Sequence, residues 1–521
     1  MTTRAEGPSI GRRWGRFVLR AQGRLDGETV DRFLPWVFAA IYFAVLALLA
    51  AASLRALEGG SGVGAWVQAA WRREHGGAGF PVGGVDPASG SWSLISEPVL
   101  WAARILPAAI MLSVVQALAL ALGIVPLWRL ARDEAHLRVG ASTAIITAYV
   151  LAPTLHRTNL SAFHPEAIAL PALIAAYLHG RQDHPKRLAL FVVLVLACRA
   201  DLGLTVAALG LLLAILGKRR PGFIVAASGL IWVAAAVAFV GPELPTAALT
   251  PSGEFVARSI GPLAVVPELF TDPFGQLRQL LTEPSIGFLV VVLAPLLFLP
   301  LVSPRKFSGA VPCLALAMIA DTAVQQVAQR GVINLSPAAS HIAPAMAFVF
   351  IALVFALERI GDLSVTRVNV DRRVLLALVV GASLLFVAES PSSPYRQPWA
   401  WGSQDAVDGA RLEAADLIDD EAAVAVSPAS VALVAARADL QELPLAPADL
   451  SRPVLDEIAR TADVVLLDTS GTDPLTQRAF WSASDVRRVR RVLAADGFTT
   501  AYDAQGVVLM IADAQPGTTS G

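Results

Sequence analysis

The chain has 521 residues, of which 55% are hydrophobic and only 16% are charged, and its mean hydropathy is +0.59. A soluble domain carries about 25% charged residues, so this composition excludes an ordinary soluble protein. The formal net charge of −1 gives no basis for a nucleic-acid partner, and we expect none. The two cysteines, Cys198 and Cys313, both lie in apolar segments, which excludes a disulfide framework or a cysteine metal site.

A basic arm, 1–33, precedes an apolar region that runs from residue 34 to residue 391. Ten segments of this region approach the roughly 20 apolar residues that a membrane-spanning helix needs. They are 34–54, 106–130, 139–155, 165–180, 187–216, 221–241, 285–303, 307–327, 338–360 and 373–390. Hydrocarbon offers no hydrogen-bond partners to the backbone, so these segments are expected to be helices. The sequence therefore predicts an α-helical polytopic membrane protein, and we interpret its first segment as an uncleaved anchor.

The distribution of Lys and Arg predicts how the helices are oriented, because basic loops stay in the cytoplasm. The arm 1–33 is then cytoplasmic, and the two long loops, 55–105 and 242–284, are extracytoplasmic. A short helix at 63–71 in the first of these loops is expected to lie on the membrane, with Trp66 at the level of the headgroups. The second loop is rich in proline and is expected to be irregular.

The segment 187–216 is long for one helix and is followed by a basic cluster that begins at Lys218. A single helix would place Lys218 outside, against the charge rule. A break at the Arg-Ala-Asp sequence of 199–201 gives two helices, each short for a full crossing, and returns Lys218 to the cytoplasm. We therefore predict about eleven spans in a bacterial plasma membrane, with a cytoplasmic N-terminus and an extracytoplasmic C-terminus.

Residues 392–521 have the composition of a soluble domain. Between 401 and 521 there are 19 Asp and Glu residues, nine Arg and no Lys. Helix patterns at 408–417, 430–436 and 484–495 alternate with strand patterns at 423–426 and 463–467, and a hairpin pattern follows near 499–511. This alternation predicts a small α/β domain with a partly parallel sheet. The domain has no histidine, cysteine or glycine-rich phosphate loop, so we expect packing or recognition, including contact with an envelope protein, rather than catalysis.

The polar residues that suggest a functional site all fall on the predicted extracytoplasmic side. They are Glu74, Asp86, Arg157, His164, Glu166, Arg199, Asp201 and His341. Carboxylates and histidines at a wet, half-buried site can act as general bases or hold a divalent cation. Arginines can bind a phosphate through two parallel hydrogen bonds.

Several of these residues also have purely structural explanations. Arg199 and Asp201 can pair with each other merely to satisfy a re-entrant turn. Pro165 and Glu166 are typical of the first turn of a helix, where proline is tolerated and an acid complements the helix dipole. His341, close to the end of a span, can be a polar tip at the membrane surface.

Several motifs of this chain resemble the DUF2079 family of uncharacterised bacterial membrane proteins. The motifs are Ser113–Arg132, Phe163-His164-Pro165-Glu166, Arg199-Ala200-Asp201 and His341, with Val424–Val426 and Asp463–Asp468 in the tail. That family is similar in layout to the GT-C glycosyltransferases, which transfer sugar from a polyprenyl-phosphate carrier outside the cell. The resemblance implies catalytic carboxylates among Glu74, Asp86, Glu166 and Asp201, and contacts with lipid carrier or substrate from Arg157, His164, Arg199 and His341.

Two other functions remain open at this point. The family pattern has carboxylates where this chain has Gly62 and Ala200, which motivates a non-catalytic membrane scaffold as the alternative. A transporter is a third reading, motivated by the interrupted segment 187–216. One outward cavity containing Asp86, Glu166 and Asp201 would favour the enzyme over both.

Overall fold

The structure is a computed structural model that describes residues 27–77, 82, 86–90, 92–240, 245–249, 255–259, 271, 274–275, 278, 283–315, 342–364, 366–395, 402–444, 450–470 and 481–513. Up to residue 395 the described chain is mainly helical. The helices are α1 Glu28–Arg55, α2 Gly60–Glu74, α3 Pro87–Gly90, α4 Ser96–Ala102, α5 Ala108–Leu122, α6 Ile124–Arg129, α7 Val139–Val150, α8 Pro153–Leu160, α9 Glu166–Arg181, α10 Pro185–Cys198, α11 Leu202–Ile215, α12 Arg219–Val240, α13 Glu283–Leu293, α14 Pro304–Phe307, α15 Ile342–Ile360 and α16 Arg372–Glu389.

Two short antiparallel ribbons interrupt the helices. They are β1 Pro245–Leu249 with β2 Phe255–Ser259, and β3 Asp362–Ser364 with β4 Arg367–Asn369. The loop 242–284, expected to be irregular, therefore contains a paired ribbon. Most of the predicted span 307–327 lies outside the described residues.

Four helices of the described chain are long and apolar enough to cross a membrane. They are Glu28–Arg55 (α1), Ala108–Glu134 (which includes α5 and α6), Arg219–Phe239 (in α12) and Ile342–Ile360 (α15). A fifth candidate consists of α7 and α8, which meet at an angle of 42°. Pro153 begins α8 and has no amide hydrogen to continue the helix of α7, which explains the bend. Helices α9, α10, α11 and α13 have between 11 and 16 residues, so the figure of eleven spans stays a prediction.

Helix α15 lies at the centre of the bundle. All of its residues from Ile342 to Leu357 are buried. A helix that is apolar on every side is expected to be buried by other helices, as α15 is. By contrast, α1 and α12 expose large side chains such as Leu48 (72% exposed) and Ile231 (69% exposed), which suits a surface in contact with lipid.

The predicted interruption of 187–216 is confirmed. Helix α10 ends at Cys198 and α11 begins at Leu202. Lys218, just after α11, forms an ion pair with Asp183, just before α10. The chain therefore returns to the end of the bundle from which α10 started. We call this end the Lys218 end and the opposite end, where the chain turns at 199–201, the Arg199 end.

Glycines allow α11 and α12 to pack with their backbones in contact. A Cβ atom on Gly210 would lie 2.3 Å from the amide nitrogen of Ala226, and one on Gly229 would lie 2.3 Å from the carbonyl oxygen of Gly203. Small residues at such positions let membrane helices approach closely and gain van der Waals contact. This packing holds the returning helix α11 beside a helix of spanning length.

The C-terminal region forms the predicted α/β fold around a five-stranded sheet. Its elements are α17 Ala406–Asp416, β5 Val424–Val426, α18 Val431–Val434, β6 Leu440–Glu442, α19 Arg452–Thr461, β7 Val464–Asp468, α20 Ala483–Ala495, β8 Phe498–Ala504 and β9 Val507–Ala512. The strand order is β6-β5-β7-β9-β8, with β6, β5 and β7 parallel and the other pairs antiparallel. Apolar clusters cover both faces of the sheet. Strand β6 and helix α19 are additions to the predicted elements.

Candidate functional site

The first candidate cluster lies in the loop 55–105 and is centred on Arg73. The helix predicted at 63–71 is present as α2, and Arg73 lies in its last turn. The guanidinium of Arg73 donates to both carboxylate oxygens of Asp86 at 2.8 and 3.1 Å. It also donates to both oxygens of Glu97 at 2.9 and 2.6 Å. One arginine therefore joins two carboxylates that come from different parts of the loop.

Asp86 also begins helix α3. Its Oδ1 accepts hydrogen bonds from the backbone amides of Ala88 and Ser89, each at 3.0 Å. Burial disfavours the charged form of Asp86, but the hydrogen bond from Arg73, the two amides and the charge of Arg73 together outweigh burial, so the pKa of Asp86 lies below its usual value. Asp86 is therefore an ionised carboxylate held in a fixed orientation.

A cavity of about 420 Å³ opens beside this cluster. It is lined by Arg72, Arg73, Gly76, Gly77, Asp86, Ser89 and Glu97. Gly76 and Gly77 have φ angles of +74° and +78°, a conformation that favours glycine. This turn brings the carbonyl of Gly77 within 3.1 Å of the Arg72 guanidinium, which donates to it.

The second cluster lies at the Arg199 end of the bundle. Arg199 donates to both oxygens of Asp201, at 2.6 and 2.9 Å, and forms an ion pair with Glu166. Glu166 begins α9 and is 1% exposed, whereas Asp201 precedes α11 and is 6% exposed. The structure thus brings together three of the predicted site residues. It also forms the Arg199–Asp201 pair that the structural explanation of this turn required.

The remaining predicted residues have different surroundings. The backbone amide of His164 donates to the side chain of Gln116 at 2.6 Å, so this glutamine holds the His-Pro-Glu loop in place. Arg157 donates to the carbonyl of Glu389 at 3.5 Å, at the end of α16. Glu74 is exposed at the C-terminal end of α2 and is not among the described residues that line the cavity. His341 lies outside the described residues.

The loop 55–105 covers the Arg199 end. Its Ile95 amide donates to the carbonyl of Ala197 at 2.9 Å. The ring of Trp92 stacks on Trp232 of α12 at 4.7 Å. Trp66 is 6% exposed, so protein covers its ring, and its expected depth at the level of the headgroups stays a prediction. Trp66 packs edge-on against Phe163, with ring centroids 5.1 Å apart.

The candidate carboxylates are thus divided between two clusters. Asp86, Glu166 and Asp201 do not share the single outward cavity that would have favoured the enzyme over the scaffold and the transporter. Asp86 lines the cavity with Glu97, and Glu166 and Asp201 share Arg199. Arg73, Glu97 and Gln116 were not among the predicted site residues. A basic pair at the end of a short loop helix was the available signal for Arg73, because such a pair needs acidic partners when it is half-buried.

The sequence suggested a divalent cation without indicating which residues would bind it. In the part of the chain that the structure describes, no group of three or more His, Cys, Asp or Glu side chains is placed to hold a metal ion. The divalent cation therefore stays a prediction.

Comparison with known proteins gives likenesses to solved structures and a family. No curated protein matches the chain. Among solved structures, the chain is similar to ArnT from Cupriavidus metallidurans, crystallised with undecaprenyl phosphate. The two share 11% sequence identity at a TM-score of 0.49, over 94% of this chain and 99% of ArnT.

The family match rests on sequence. A family model described as predicted membrane protein (DUF2079) matches residues 98–509. This range contains Glu166, Arg199 and Asp201 and most of the C-terminal domain, whereas α2 and Asp86 precede it. The resemblance inferred from the His-Pro-Glu and Arg-Ala-Asp sequences is thereby confirmed. The chain belongs to the DUF2079 family of predicted membrane proteins.

Proposed function

We propose that this protein is a GT-C-like glycosyltransferase that takes sugar from a polyprenyl-phosphate carrier at the extracytoplasmic face of the membrane. The observation that carries the proposal is the cavity in loop 55–105, where carboxylates and arginines meet beside the bundle. The family resemblance supplies the reaction class, and the cavity supplies groups that suit it.

The arginines of the cavity suit the carrier phosphate. A glycosyl transfer releases this phosphate, so a nearby cation stabilises the charge that develops as the bond to the sugar breaks. The Arg73 guanidinium is already engaged by Asp86 and Glu97. Arg72 lines the same cavity and donates to the carbonyl of Gly77. We assign the phosphate contact to it, because Arg72→Gln tests a cation of the cavity while the ion pairs of Arg73 stay in place. Arg157, His164, Arg199 and His341 retain the roles in carrier or substrate binding that the resemblance implies.

The carboxylates of the cavity suit the acceptor. An acceptor hydroxyl that attacks the sugar must give up its proton, and a carboxylate can take it. Asp86 is ionised but its pKa is depressed, which makes it a weak base and a good fixed acceptor of a hydroxyl hydrogen bond. The Glu97 side chain is 44% exposed and lines the same cavity, so it is our first choice for the base. Glu74, Glu166 and Asp201 are the other carboxylates in the proposal.

A non-catalytic scaffold is the second candidate, and one observation favours it. The carboxylates of both clusters are already neutralised by arginines, as expected of ion networks that serve only structure. In that case the acidic C-terminal domain would recruit an envelope protein, and the cavity would bind no carrier.

Native mass spectrometry of the gently purified protein separates these candidates. The spectrum is searched for a co-purified polyprenyl phosphate or its glycosylated form, and undecaprenyl phosphate is then added as the probe. We expect a bound carrier whose occupancy falls about tenfold in Arg72→Gln, because charge-assisted hydrogen bonds contribute about 1.5–3 kcal/mol.

Arg104→Gln is the matched control, because Arg104 lies in the same loop but stacks on Trp101 at 3.8 Å instead of lining the cavity. Its occupancy should equal that of the wild type. Bulk phospholipid as the only bound lipid, before and after addition of undecaprenyl phosphate, would refute the transferase proposal.

A further inference from the structure

The C-terminal domain rests directly on helix α2 of the loop 55–105. The hydroxyl of Ser61 donates to the carboxylate of Glu442 at 2.5 Å and to the carbonyl of Pro428 at 3.3 Å. Gly64 faces α18 so closely that a Cβ atom there would lie 2.4 Å from a methyl group of Val431. Helix α2 and the C-terminal domain, more than 350 residues apart in sequence, are therefore in direct contact.

Val82 of the loop lies in the core of the C-terminal domain. Val82 is 5% exposed and belongs to the same buried cluster as Val424 of β5, Val464 of β7 and Leu509 of β9. The core on this face of the sheet is thus completed by a side chain from the loop. Removing either partner therefore exposes apolar surface on the other, which is unfavourable in water.

Gln68 joins these two contacts. It lies on α2, is 1% exposed and donates through Nε2 to the carbonyls of Arg437 and Ala438, both at 3.3 Å. Its Oε1 accepts the backbone amide of Val82 at 2.7 Å. A single buried side chain therefore ties α2, Val82 and the C-terminal domain together, and its hydrogen bonds with Arg437 and Val82 are buried, where such bonds are strongest.

The tied segments carry the walls of the cavity. Arg72 and Arg73 lie one turn beyond Gln68 on α2, and Asp86 follows Val82 by four residues. We propose that Gln68 is a positioning residue for this cavity and that the C-terminal domain acts as its structural support, fixing Asp86 against Arg73. The value of this support to catalysis rests on the proposed function, whereas the support itself does not.

A cysteine reporter tests the support without any lipid. Ala88 is 1% exposed, packs with Trp66 and Leu100, and lies two residues beyond Asp86. The thiol introduced by Ala88→Cys should react with a soluble maleimide only when this segment opens. Adding Gln68→Met removes the three hydrogen bonds at nearly constant volume, and we expect the reaction to accelerate about tenfold.

Val82→Ala, which weakens the apolar contact instead, should accelerate the same reaction. Gln404→Met is the matched control, because Gln404 also bonds across to the loop side, donating to the carbonyl of Arg55 at 3.0 Å, but at an exposed position. This variant should leave the rate unchanged. The native thiols of Cys198 and Cys313, 0% and 4% exposed, report global unfolding in the same sample.

An unchanged rate in both Gln68→Met and Val82→Ala overturns the inference, and so does a rise that the native thiols share. A selective rise supports it. The undecaprenyl phosphate measurement is made on the same variants. A failure of the support by Gln68 can therefore be distinguished from a failure of the transferase proposal. A selective rise together with no carrier binding in the wild type leaves Gln68 as a positioning residue and removes the transferase proposal.

Discussion

Arg199 is the residue whose loss we expect to cost the most stability. Its guanidinium lies between Glu166 and Asp201, and both carboxylates are almost fully buried. Arg199→Gln would leave two buried carboxylates facing each other without a cation. Breaking a buried pair in this way typically costs about 3–5 kcal/mol, so we expect a clear fall in the thermal unfolding midpoint measured in detergent.

The double variant Arg199→Gln/Glu166→Gln separates charge from packing. It removes one of the two buried carboxylates that Arg199→Gln leaves without a cation, so it should regain part of the stability that Arg199→Gln loses. Arg104→Gln, on the exposed part of the loop, should unfold like the wild type. An Arg199→Gln protein as stable as the wild type would mean that the cluster does not hold the Arg199 end together.

Asp86 gives the cavity a predictable response to acid. The pKa of this carboxyl is depressed in the folded protein, so its ionised form contributes stability above the unfolded pKa of about 3.9. This contribution is lost as the pH falls through the lower, folded pKa. The difference in unfolding midpoint between the wild type and Asp86→Asn should therefore be constant from pH 7 to about pH 5 and shrink only below about pH 4.

A difference that already disappears near pH 6 would contradict the depressed pKa. Gly140→Ala is a control for general acid effects, because nothing lies within 4 Å of the Cβ that it adds, so it changes the surroundings of no titratable group.

Sequence reasoning predicted one of the two residue clusters and missed the other. Glu166, Arg199 and Asp201 stand beside helix ends that the charge pattern placed on one side of the membrane, so their meeting followed from topology alone. The Arg73 cluster depends on how the loop 55–105 folds back on itself, which no local pattern fixes. Gln68 bonds to groups 369 and 370 residues away, beyond any local pattern.

The packing of helix α11 against helix α12 depends on glycine. In Gly210→Ala the new Cβ would meet the amide of Ala226 at 2.3 Å and the carbonyl of Gly222 at 2.5 Å, so the two backbones must separate. Overpacking of this kind typically costs about 1–3 kcal/mol. Thermal unfolding in detergent should show this loss for Gly210→Ala.

Gly140→Ala is the matched control for that measurement. Gly140 lies in α7, and nothing lies within 4 Å of the Cβ that this change adds. Because alanine is the better helix former by about 1 kcal/mol, Gly140→Ala should be neutral or slightly stabilising. Equal losses in the two variants would argue that glycine is needed for some reason other than close packing.

Hydropathy and charge together predicted the interruption of 187–216 and two short helices on either side of it, and the structure has both. Helices α10 and α11 have 14 residues each, or about 21 Å at 1.5 Å per residue, less than the roughly 30 Å of hydrocarbon. Short helices are acceptable here because the turn between them is covered by protein and its charges are paired. Only the folded loop supplies that cover, so the pattern of the segment alone could not indicate it.

For the molecule as a whole, the ion pair between Lys218 and Asp183 makes the membrane orientation testable. Both residues lie at one end of the bundle, and the charge rule predicts that this end is cytoplasmic. Glu74 and Asp416, both exposed, lie in the loop and domain predicted to be extracytoplasmic. In right-side-out membrane vesicles, a membrane-impermeant maleimide should therefore label Glu74→Cys and Asp416→Cys, but label Asp183→Cys and Lys218→Cys only after the membrane is opened.

The two buried native cysteines keep the background of this labelling low. The pair Asp183→Cys and Lys218→Cys is the decisive comparison, because a single helix over 187–216 would place the two positions on opposite sides. Labelling of Lys218→Cys alone in sealed vesicles would contradict the returning hairpin. Labelling of both, with protection of Glu74→Cys and Asp416→Cys, would keep the fold but invert it. The candidate cavity would then face the cytoplasm, and a carrier presented at the extracytoplasmic face could not reach it.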